Sequence, residues 1–262
     1  VTMEYDSEAK SWSKSFAGKL VPTEGVTPDP AFLAEFDTEF KAAKTWVSRP
    51  IGKVDGIMKG RDSIFGDSAF VDMVHMLQLA LTKDPANGLK PAQISFCAPL
   101  DVGAVVPSSA DGTVYVRDMF GLYRYENWMY TMDLTGKQIK GFMEVSYGDW
   151  FNTMKTADDQ LIAFKTGADG KPTLDARTNL PATKVATYNY DSVAGLKYTV
   201  DVTRPAGERI TILSMDDGSV FDPAKTYSVA INSYRAMGGG GMLERGAGIS
   251  AADLLSMKYV TS

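Results

Sequence analysis

The alternation of apolar and polar positions divides most of the chain into short strands and amphipathic helices. Alternating or β-branched apolar runs predict strands over residues 93–98, 112–116, 128–134, 184–190, 196–202, 210–215 and 227–231. Apolar spacings of three and four predict helices over residues 69–81, 138–147 and 251–257, with a helical turn over 116–122. Helices interspersed with hairpin-like strand pairs predict an α+β or α/β architecture, built on a mixed β-sheet with flanking helices.

A further helix is predicted over residues 29–48. Asp29 is suited to cap it, and Pro30 is suited to its first position. One apolar stripe follows the helix, at Phe32, Phe36, Phe40, Ala43 and Val47. Such a helix either links two domains or packs on the surface of its own domain, and the pattern is compatible with both.

One stretch near the C-terminus combines a strand with the groups of a ligand pocket. The strand predicted over 227–231 leads to Asn232, then to Tyr234 and Arg235, and then to four glycines, Gly238–Gly241. Glycines permit positive φ angles and close approach of another body to the backbone. A flexible loop is the alternative interpretation. The amide, the aromatic face and the cation that precede the glycines favour a pocket.

Polar-tipped residues also cluster just before the strand predicted over 128–134. They form the run Tyr123-Arg124-Tyr125-Glu126-Asn127. A packing loop would not require two tyrosines, an arginine, a glutamate and an asparagine in succession. The alternative is that the tyrosines are structural, with each hydroxyl satisfied by one buried hydrogen bond.

The segment before the helix predicted over 69–81 offers a place for an anion. A helix N-terminus carries free amide groups and partial positive charge, and Arg61 lies close enough in sequence to assist. Capping of the helix by Asp67 or Ser68 explains the same segment without any ligand. Both interpretations stay open.

Composition restricts the class of partner. The chain is 44% hydrophobic and 23% charged, values typical of a globular protein with an ample core. Its net charge of −5 leaves no basic stripe to neutralise phosphates, which argues against a nucleic-acid polymer. A single nucleotide remains compatible with this charge. No apolar stretch has the length needed to span a bilayer.

The chain has one cysteine and one histidine. Cys97 lies in an apolar run, so we interpret it as a buried small hydrophobe, and a lone cysteine excludes an internal disulfide. His75 lies within a predicted helix, where a hydrogen-bonded structural histidine is expected. One imidazole cannot build a histidine-rich dinuclear centre. We therefore expect no metal, no cofactor and no catalytic residue on this chain.

With these residues identified, the chain resembles the C-terminal, substrate-binding domain of the bacterial 5′-nucleotidase and 2′,3′-cyclic-nucleotide 2′-phosphodiesterase family. The resemblance extends from about residue 51 to the C-terminus. Six motifs carry it in the order and spacing of the family: Phe65-Gly66-Asp67-Ser68-Ala69, Ser95-Phe96-Cys97-Ala98-Pro99-Leu100, Leu122-Tyr123-Arg124-Tyr125-Glu126-Asn127, Leu134-Thr135-Gly136-Lys137, Tyr188-Asn189-Tyr190-Asp191 and the stretch from Asn232 to Gly241.

The resemblance implies a division of labour between two domains. In the family, an N-terminal domain holds two divalent metal ions and hydrolyses the phosphoester, while the C-terminal domain clamps the base between two aromatic rings. The matching rings are Tyr125 and Tyr234, and a family asparagine near the base matches Asn127. The resemblance also implies that the glycine loop, with Gly238, Gly239 and Gly240, sets the position and depth of the base. Asn232 and Arg61 complete the expected binding residues.

Two departures point to one branch of the family. The 5′-nucleotidase branch usually carries an arginine after the strand that here ends in Cys97-Ala98-Pro99-Leu100-Asp101, and this chain has none there. Many members carry an aspartate where Gly240 stands. Both features resemble the cyclic-phosphodiesterase branch. The metal-binding motifs of the N-terminal domain, an Asp-x-His and a Gly-Asn-His-Asp/Glu, are absent from the sequence.

These expectations define a domain plan. Residues 1–28 are expected to be the tail of an N-terminal metallophosphoesterase domain, 29–48 a bridging helix, and 49–262 the substrate-binding domain. The parent protein is expected to be a periplasmic, cell-surface or secreted metal-dependent phosphoric ester hydrolase, and this chain alone is expected to be inactive. The expected partners are a nucleotide or nucleoside and the N-terminal domain. The alternative is a non-catalytic module that binds a nucleoside or a protein.

Overall fold

A computed structural model describes residues 1–176 and 179–261. The chain divides into two compact units, Val1–Trp46 and Val47–Ser262, and each is considered by itself. Both hydrophobic core clusters lie in the second unit.

The first unit contains an antiparallel hairpin and most of a helical segment. The hairpin pairs β1 (Thr2–Asp6) with β2 (Ser11–Ser15). Asp29 caps α1 (Pro30–Glu35) as predicted, because its side chain accepts hydrogen bonds from two backbone amides. The predicted single helix is wrong in one respect, since it breaks at Phe36, and α2 (Asp37–Val47) begins directly afterwards. An acidic first turn favours this new start.

A four-stranded mixed sheet forms the centre of the second unit, as predicted. Its strands are β5 (Ile94–Cys97), β8 (Met129–Thr135), β9 (Ser192–Ala194) and β12 (Thr226–Asn232), in the order β8-β12-β5-β9. β12 runs parallel to β5 and antiparallel to β8, and β5 runs antiparallel to β9. Consequently β5 and β12 end at the same edge of the sheet at which β8 and β9 begin.

Two helices of fifteen residues each cover the sheet, α3 (Ala69–Lys83) and α5 (Gly136–Trp150). Ser95 of β5 hydrogen-bonds His75 of α3, while its neighbour Phe96 stacks on Phe142 of α5 with ring centroids 4.0 Å apart. Successive side chains of a strand point to opposite faces, so the two helices pack on opposite faces of the sheet. This arrangement is the α+β fold that the sequence predicts.

The interpretation of His75 as a structural residue is confirmed. Its ring is buried, with Nδ1 2.9 Å from the Ser95 hydroxyl and Nε2 3.0 Å from the Ser192 hydroxyl. Cys97 is likewise buried. The predicted cap of α3 is wrong in its chemistry, because Ser68 stands at the N-cap position but its hydroxyl pairs with that of Ser63 at 2.6 Å.

The strand predicted over residues 184–190 is also wrong. Residues Thr187–Asn189 form a 3₁₀ turn, and the strand that follows is the short β9. The remaining elements of the second unit are β3 (Pro50–Lys53), β4 (Met58–Lys59), β6 (Val105–Val106), β7 (Thr113–Tyr115), α4 (Val116–Leu122), β10 (Leu196–Val200), β11 (Ile210–Met215), α6 (Ser233–Ala236), α7 (Met242–Arg245), α8 (Ala251–Leu255) and 3₁₀ helices at Gly60–Phe65, Pro85–Asn87 and Gly239–Gly241.

Candidate functional site

A cavity lies at the edge of the sheet where β5 and β12 end and β8 begins. Its volume is about 320 Å³, and its walls are Leu100, Tyr125, Asn127, Tyr188, Asn232 and Tyr234. Four of the residues that the sequence predicts for the site therefore lie around one cavity. Among the described residues, its walls carry three phenol rings and two amides, and no carboxylate or amine. Such walls suit a flat, neutral ring system with a polar edge.

Tyr234 reaches the cavity from the first turn of α6. The Asn232 side chain caps this short helix by accepting a hydrogen bond from the Arg235 backbone amide at 2.9 Å. The Tyr234 hydroxyl donates to the side-chain oxygen of Asn189 at 3.2 Å. Tyr234 is 43% exposed, so the residue is held at its backbone and at its hydroxyl while part of its surface stays accessible.

The glycine loop is fitted around Tyr234 and Arg235 and is not part of the cavity wall. A Cβ atom on Gly239 would lie 2.5 Å from the Tyr234 ring carbon Cζ. On Gly240, which has a φ of +76°, it would lie 2.2 Å from Nη1 of Arg235. Gly238 also has a positive φ, of +97°. Glycine at these positions lets the loop approach the aromatic ring and the guanidinium closely.

Arg235 points away from the cavity and has a structural role. Its guanidinium forms a two-pronged ion pair with Asp191, through Nε at 2.9 Å and Nη2 at 2.6 Å, and both side chains are buried. The same guanidinium donates to the backbone oxygen of Tyr188 at 2.7 Å and to that of Gly239. It therefore ties the turn that carries Tyr188 to the loop that follows Tyr234.

Tyr125 and Asn127 reach the cavity from the loop between α4 and β8. The Asn127 side-chain nitrogen donates to the Tyr123 hydroxyl at 3.1 Å, and its backbone amide donates to the Tyr125 backbone oxygen at 3.0 Å. The next residue, Trp128, exchanges two hydrogen bonds with Ser233, at 3.1 and 2.8 Å. This exchange joins the loop of Tyr125 directly to the helix of Tyr234.

Tyr188 is a wall of the cavity that the sequence analysis did not assign to the site. Its ring meets that of Tyr234 edge to face, with centroids 6.4 Å apart and an angle of 78° between the ring planes. The available signal was the Tyr188-Asn189-Tyr190-Asp191 motif. Its interpretation as a strand concealed that Tyr188 lies in a turn facing the cavity.

Two other arginines lie outside the cavity. Arg61 is exposed in the 3₁₀ helix Gly60–Phe65 and does not line the cavity. Arg124 pairs with Asp101 on the surface. The structure therefore brings together Tyr125, Asn127, Asn232 and Tyr234 from the predicted set, and it leaves Arg61 apart from them.

The described part of the chain provides neither a metal centre nor a membrane-spanning helix. Within residues 1–176 and 179–261, no group of three or more His, Cys, Asp or Glu side chains is arranged to hold a metal ion. The residues present thus do not fit a dinuclear centre, and we assign no chemical step on this chain to a metal. None of the helices in the same ranges is both long and apolar enough to traverse a bilayer.

Curated relatives of this chain are nucleotide phosphoesterases. It is 28% identical over 263 residues to a 2′,3′-cyclic-nucleotide 2′-phosphodiesterase/3′-nucleotidase of Salmonella typhimurium, an alignment that covers 90% of this chain and 35% of that protein. It is 30% identical over 141 residues to a trifunctional nucleotide phosphoesterase of Bacillus subtilis, covering 50% of this chain and 8% of that one. The chain thus spans about a third of the Salmonella protein.

Solved structures share the fold. A 5′-nucleotidase precursor of Thermus thermophilus superposes with a TM-score of 0.56 at 20% identity, covering 98% of this chain and 45% of that one. A Staphylococcus aureus protein described as a 5′-nucleotidase gives a TM-score of 0.58 at 22% identity, covering 98% and 46%. The sequence profile of the family described as 5′-nucleotidase, C-terminal domain matches residues 50–245. The chain belongs to the 5′-nucleotidase C-terminal domain family.

Proposed function

We propose that this chain is the base-binding part of a nucleotide phosphohydrolase, with the base clamped between Tyr125 and Tyr234. The observation that carries the proposal is that both rings line one cavity together with Asn127 and Asn232. Stacking on an aromatic ring contributes about 1–3 kcal/mol per base and tolerates any base. The amides add a hydrogen-bonding edge, and the glycine loop sets the position of Tyr234.

The proposal extends to the parent protein. We assign residues 1–28 to the tail of a catalytic domain, 29–48 to a bridge and 49–262 to the substrate-binding domain. Phosphoester hydrolysis belongs to the N-terminal metallophosphoesterase domain, whose two divalent metal ions activate water when bound. The substrates are 2′,3′-cyclic or 3′-nucleotides, and the protein works in the periplasm, at the cell surface or after secretion. The names of the curated relatives support this substrate class.

The role of this chain in that reaction is orientation. A base held between two rings fixes the sugar and phosphate relative to the protein, which reduces the entropy lost on reaching the transition state. Within residues 1–176 and 179–261, no carboxylate, histidine or cysteine lines the cavity. The chain alone is therefore expected to bind nucleosides without hydrolysing their phosphoesters.

Calorimetric titration of the chain with adenosine, 3′-AMP and 5′-AMP tests the clamp. All three are expected to bind with similar affinity, because the base makes the contacts. Removal of either ring, in Tyr125→Ala or Tyr234→Ala, is expected to weaken binding by about tenfold or more. Tyr5→Ala is the matched control, since Tyr5 is 53% exposed, close to the 47% of Tyr125, but lies in the N-terminal hairpin.

Two results would contradict the proposal. If the wild-type chain binds none of these ligands at millimolar concentration, the cavity is not a nucleoside site and the chain is a module for another partner. If both alanine variants bind as tightly as the wild type, the rings are not the clamp. Hydrolysis of 2′,3′-cyclic AMP by the full-length parent, lost on chelation of divalent metal, tests the part assigned to the other domain.

A further inference from the structure

Tyr123 lies behind the cavity wall, next to the side chains of Asn127 and Asn232. It is not among the residues that line the cavity, yet its hydroxyl accepts a hydrogen bond from the Asn127 side-chain nitrogen at 3.1 Å. Burial raises the pKa of Tyr123, so the hydroxyl keeps its proton at neutral pH and remains a neutral partner. The Asn127 amide is therefore anchored by its nitrogen.

The two amides of the cavity wall are used differently. Asn232 commits its side-chain oxygen to the Arg235 backbone amide at 2.9 Å. Asn127 commits its nitrogen to Tyr123, and its side-chain oxygen has no hydrogen-bond partner among the described residues. The Asn127 side-chain oxygen is thus the acceptor that is free to bind a ligand. A ligand that covers this oxygen without donating a hydrogen bond to it loses binding free energy, because the oxygen is then buried without a partner.

We infer that Tyr123 is a positioning residue which holds the Asn127 oxygen toward the cavity, so that the site prefers a base with an amino group to the same base without one. The inference rests on the proposed function and adds a substrate class to it. Adenine and cytosine carry such a donor, at N6 and N4. Stacking on the tyrosines is similar for bases with and without an amino group. A hydrogen-bond acceptor held at the edge of the base favours the one with the amino group.

Adenosine and purine riboside test this inference, because they differ only in the 6-amino group. Calorimetry on the wild-type chain is expected to give about tenfold tighter binding of adenosine, the effect of one hydrogen bond to a group that is otherwise left unpaired. Tyr123→Phe is expected to reduce the preference to about twofold or less, while the affinity for purine riboside stays within about twofold.

A double-mutant cycle separates positioning from a general structural effect. If Tyr123 acts through Asn127, then Tyr123→Phe is expected to change nothing further in an Asn127→Ala background. Asn127→Asp keeps an acceptor at the same place and is expected to retain the preference for adenosine. Tyr198→Phe is the matched control, because Tyr198 pairs with the Tyr147 hydroxyl at 2.7 Å and lines a different cavity.

The outcomes distinguish the inference from the proposed function. Equal binding of both nucleosides by the wild type overturns the inference and leaves the clamp intact. The same conclusion follows if Tyr123→Phe keeps the full preference, or if it weakens both nucleosides equally. If the wild type binds neither nucleoside, the proposed function fails and the inference fails with it.

Discussion

At the scale of single residues, Gly239 illustrates how closely the glycine loop fits around Tyr234. Its φ angle is not positive, so backbone conformation does not demand glycine there. The demand is steric, since an added Cβ would lie 2.5 and 2.6 Å from two carbons of the Tyr234 ring and 2.6 Å from the Tyr234 backbone oxygen. A methyl group at this position has to displace the ring or the loop.

If Tyr234 stacks on the base as proposed, Gly239→Ala is expected to weaken adenosine binding by about tenfold or more, because the ring is displaced. We expect a loss of about 1–3 kcal/mol in the free energy of unfolding as well, as for other overpacked positions. Calorimetry and urea denaturation measure the two effects. Gly52→Ala is the control, since nothing lies within 4 Å of the added atom. Unchanged binding in Gly239→Ala would show that Tyr234 can shift without loss.

His75 is the second residue whose surroundings give a sharp expectation. Burial lowers its pKa from 6.5 to about 3. The folded state therefore favours the neutral ring, and this contribution to stability is present above pH 6.5 and declines as the pH falls from 6.5 toward 3. The slope reaches at most about 1.4 kcal/mol per pH unit.

Nuclear magnetic resonance can follow this group directly, since the chain has one histidine. The imidazole signals of the folded chain are expected to stay constant between pH 8 and pH 5. In urea the same signals are expected to titrate near pH 6.5. A midpoint near 6.5 in the folded chain would mean that the ring is accessible to water.

Site residues were predictable from the sequence where the type of side chain and its place at a strand end were enough to suggest a ligand contact. Tyr125, Asn127, Asn232 and Tyr234 combine aromatic faces and amides with positions at strand ends, and all four line the cavity. Arg61 was predicted to bind the ligand because it is a cation close in sequence to a helix N-terminus. Its position depends on a 3₁₀ helix that the apolar spacing of the sequence does not predict. The glycines suggested contact with a ligand, whereas their close neighbours are protein atoms.

At the scale of elements, segments with a clear apolar period were mostly predictable, including the short α4 at its predicted bounds, although the helix predicted over 29–48 breaks into α1 and α2. α3 and α5 follow their apolar spacing closely, and β11 matches its predicted bounds. β9 has only three residues, which is too short for an alternating apolar pattern to show in the sequence. The turn before it is fixed by Arg235, which bonds Tyr188 and Asp191 from more than forty positions away. Such tertiary contacts override local preference.

The start of α5 carries a local signal that the apolar spacing alone missed, since that spacing predicts a start at residue 138 and the helix begins at Gly136. Thr135 and Gln138 form a capping box, in which the Thr135 hydroxyl accepts from the Gln138 amide at 3.3 Å and the Gln138 side chain accepts from the Thr135 amide at 2.9 Å. Both residues are apparent in the sequence as a Thr-x-x-Gln pattern.

Thr135→Ala is expected to lower the free energy of unfolding by about 1 kcal/mol through loss of this cap. Urea denaturation with a two-state fit measures the change. Lys140→Ala, at an exposed position of the same helix, is expected to change stability by less than about 0.5 kcal/mol. Equal effects of the two substitutions would exclude a role of the cap in stability.

At the scale of the whole molecule, the order and direction of the strands bring the residues of the site together. Residues 100, 127, 188 and 232 are far apart in sequence, and they meet because β5 and β12 end where β8 and β9 begin. The mixed sheet itself was predictable from alternating strands and helices. The parallel pairing of β12 with β5 was not, because no local signal couples segments that are more than 130 residues apart.

Because Cys97 is buried at the end of β5, the rate at which its thiol is labelled reports how often the central sheet opens. Cys97 is the sole cysteine of the sequence, its side chain is 1% exposed, and burial raises its thiol pKa. A thiol-modifying reagent therefore reacts with it only after β5 separates from its neighbours. Labelling is expected to be slower than for the urea-unfolded chain by a factor on the order of 10³ or more. Added adenosine should slow it further, since a nucleoside that binds only the folded sheet lengthens the interval between openings.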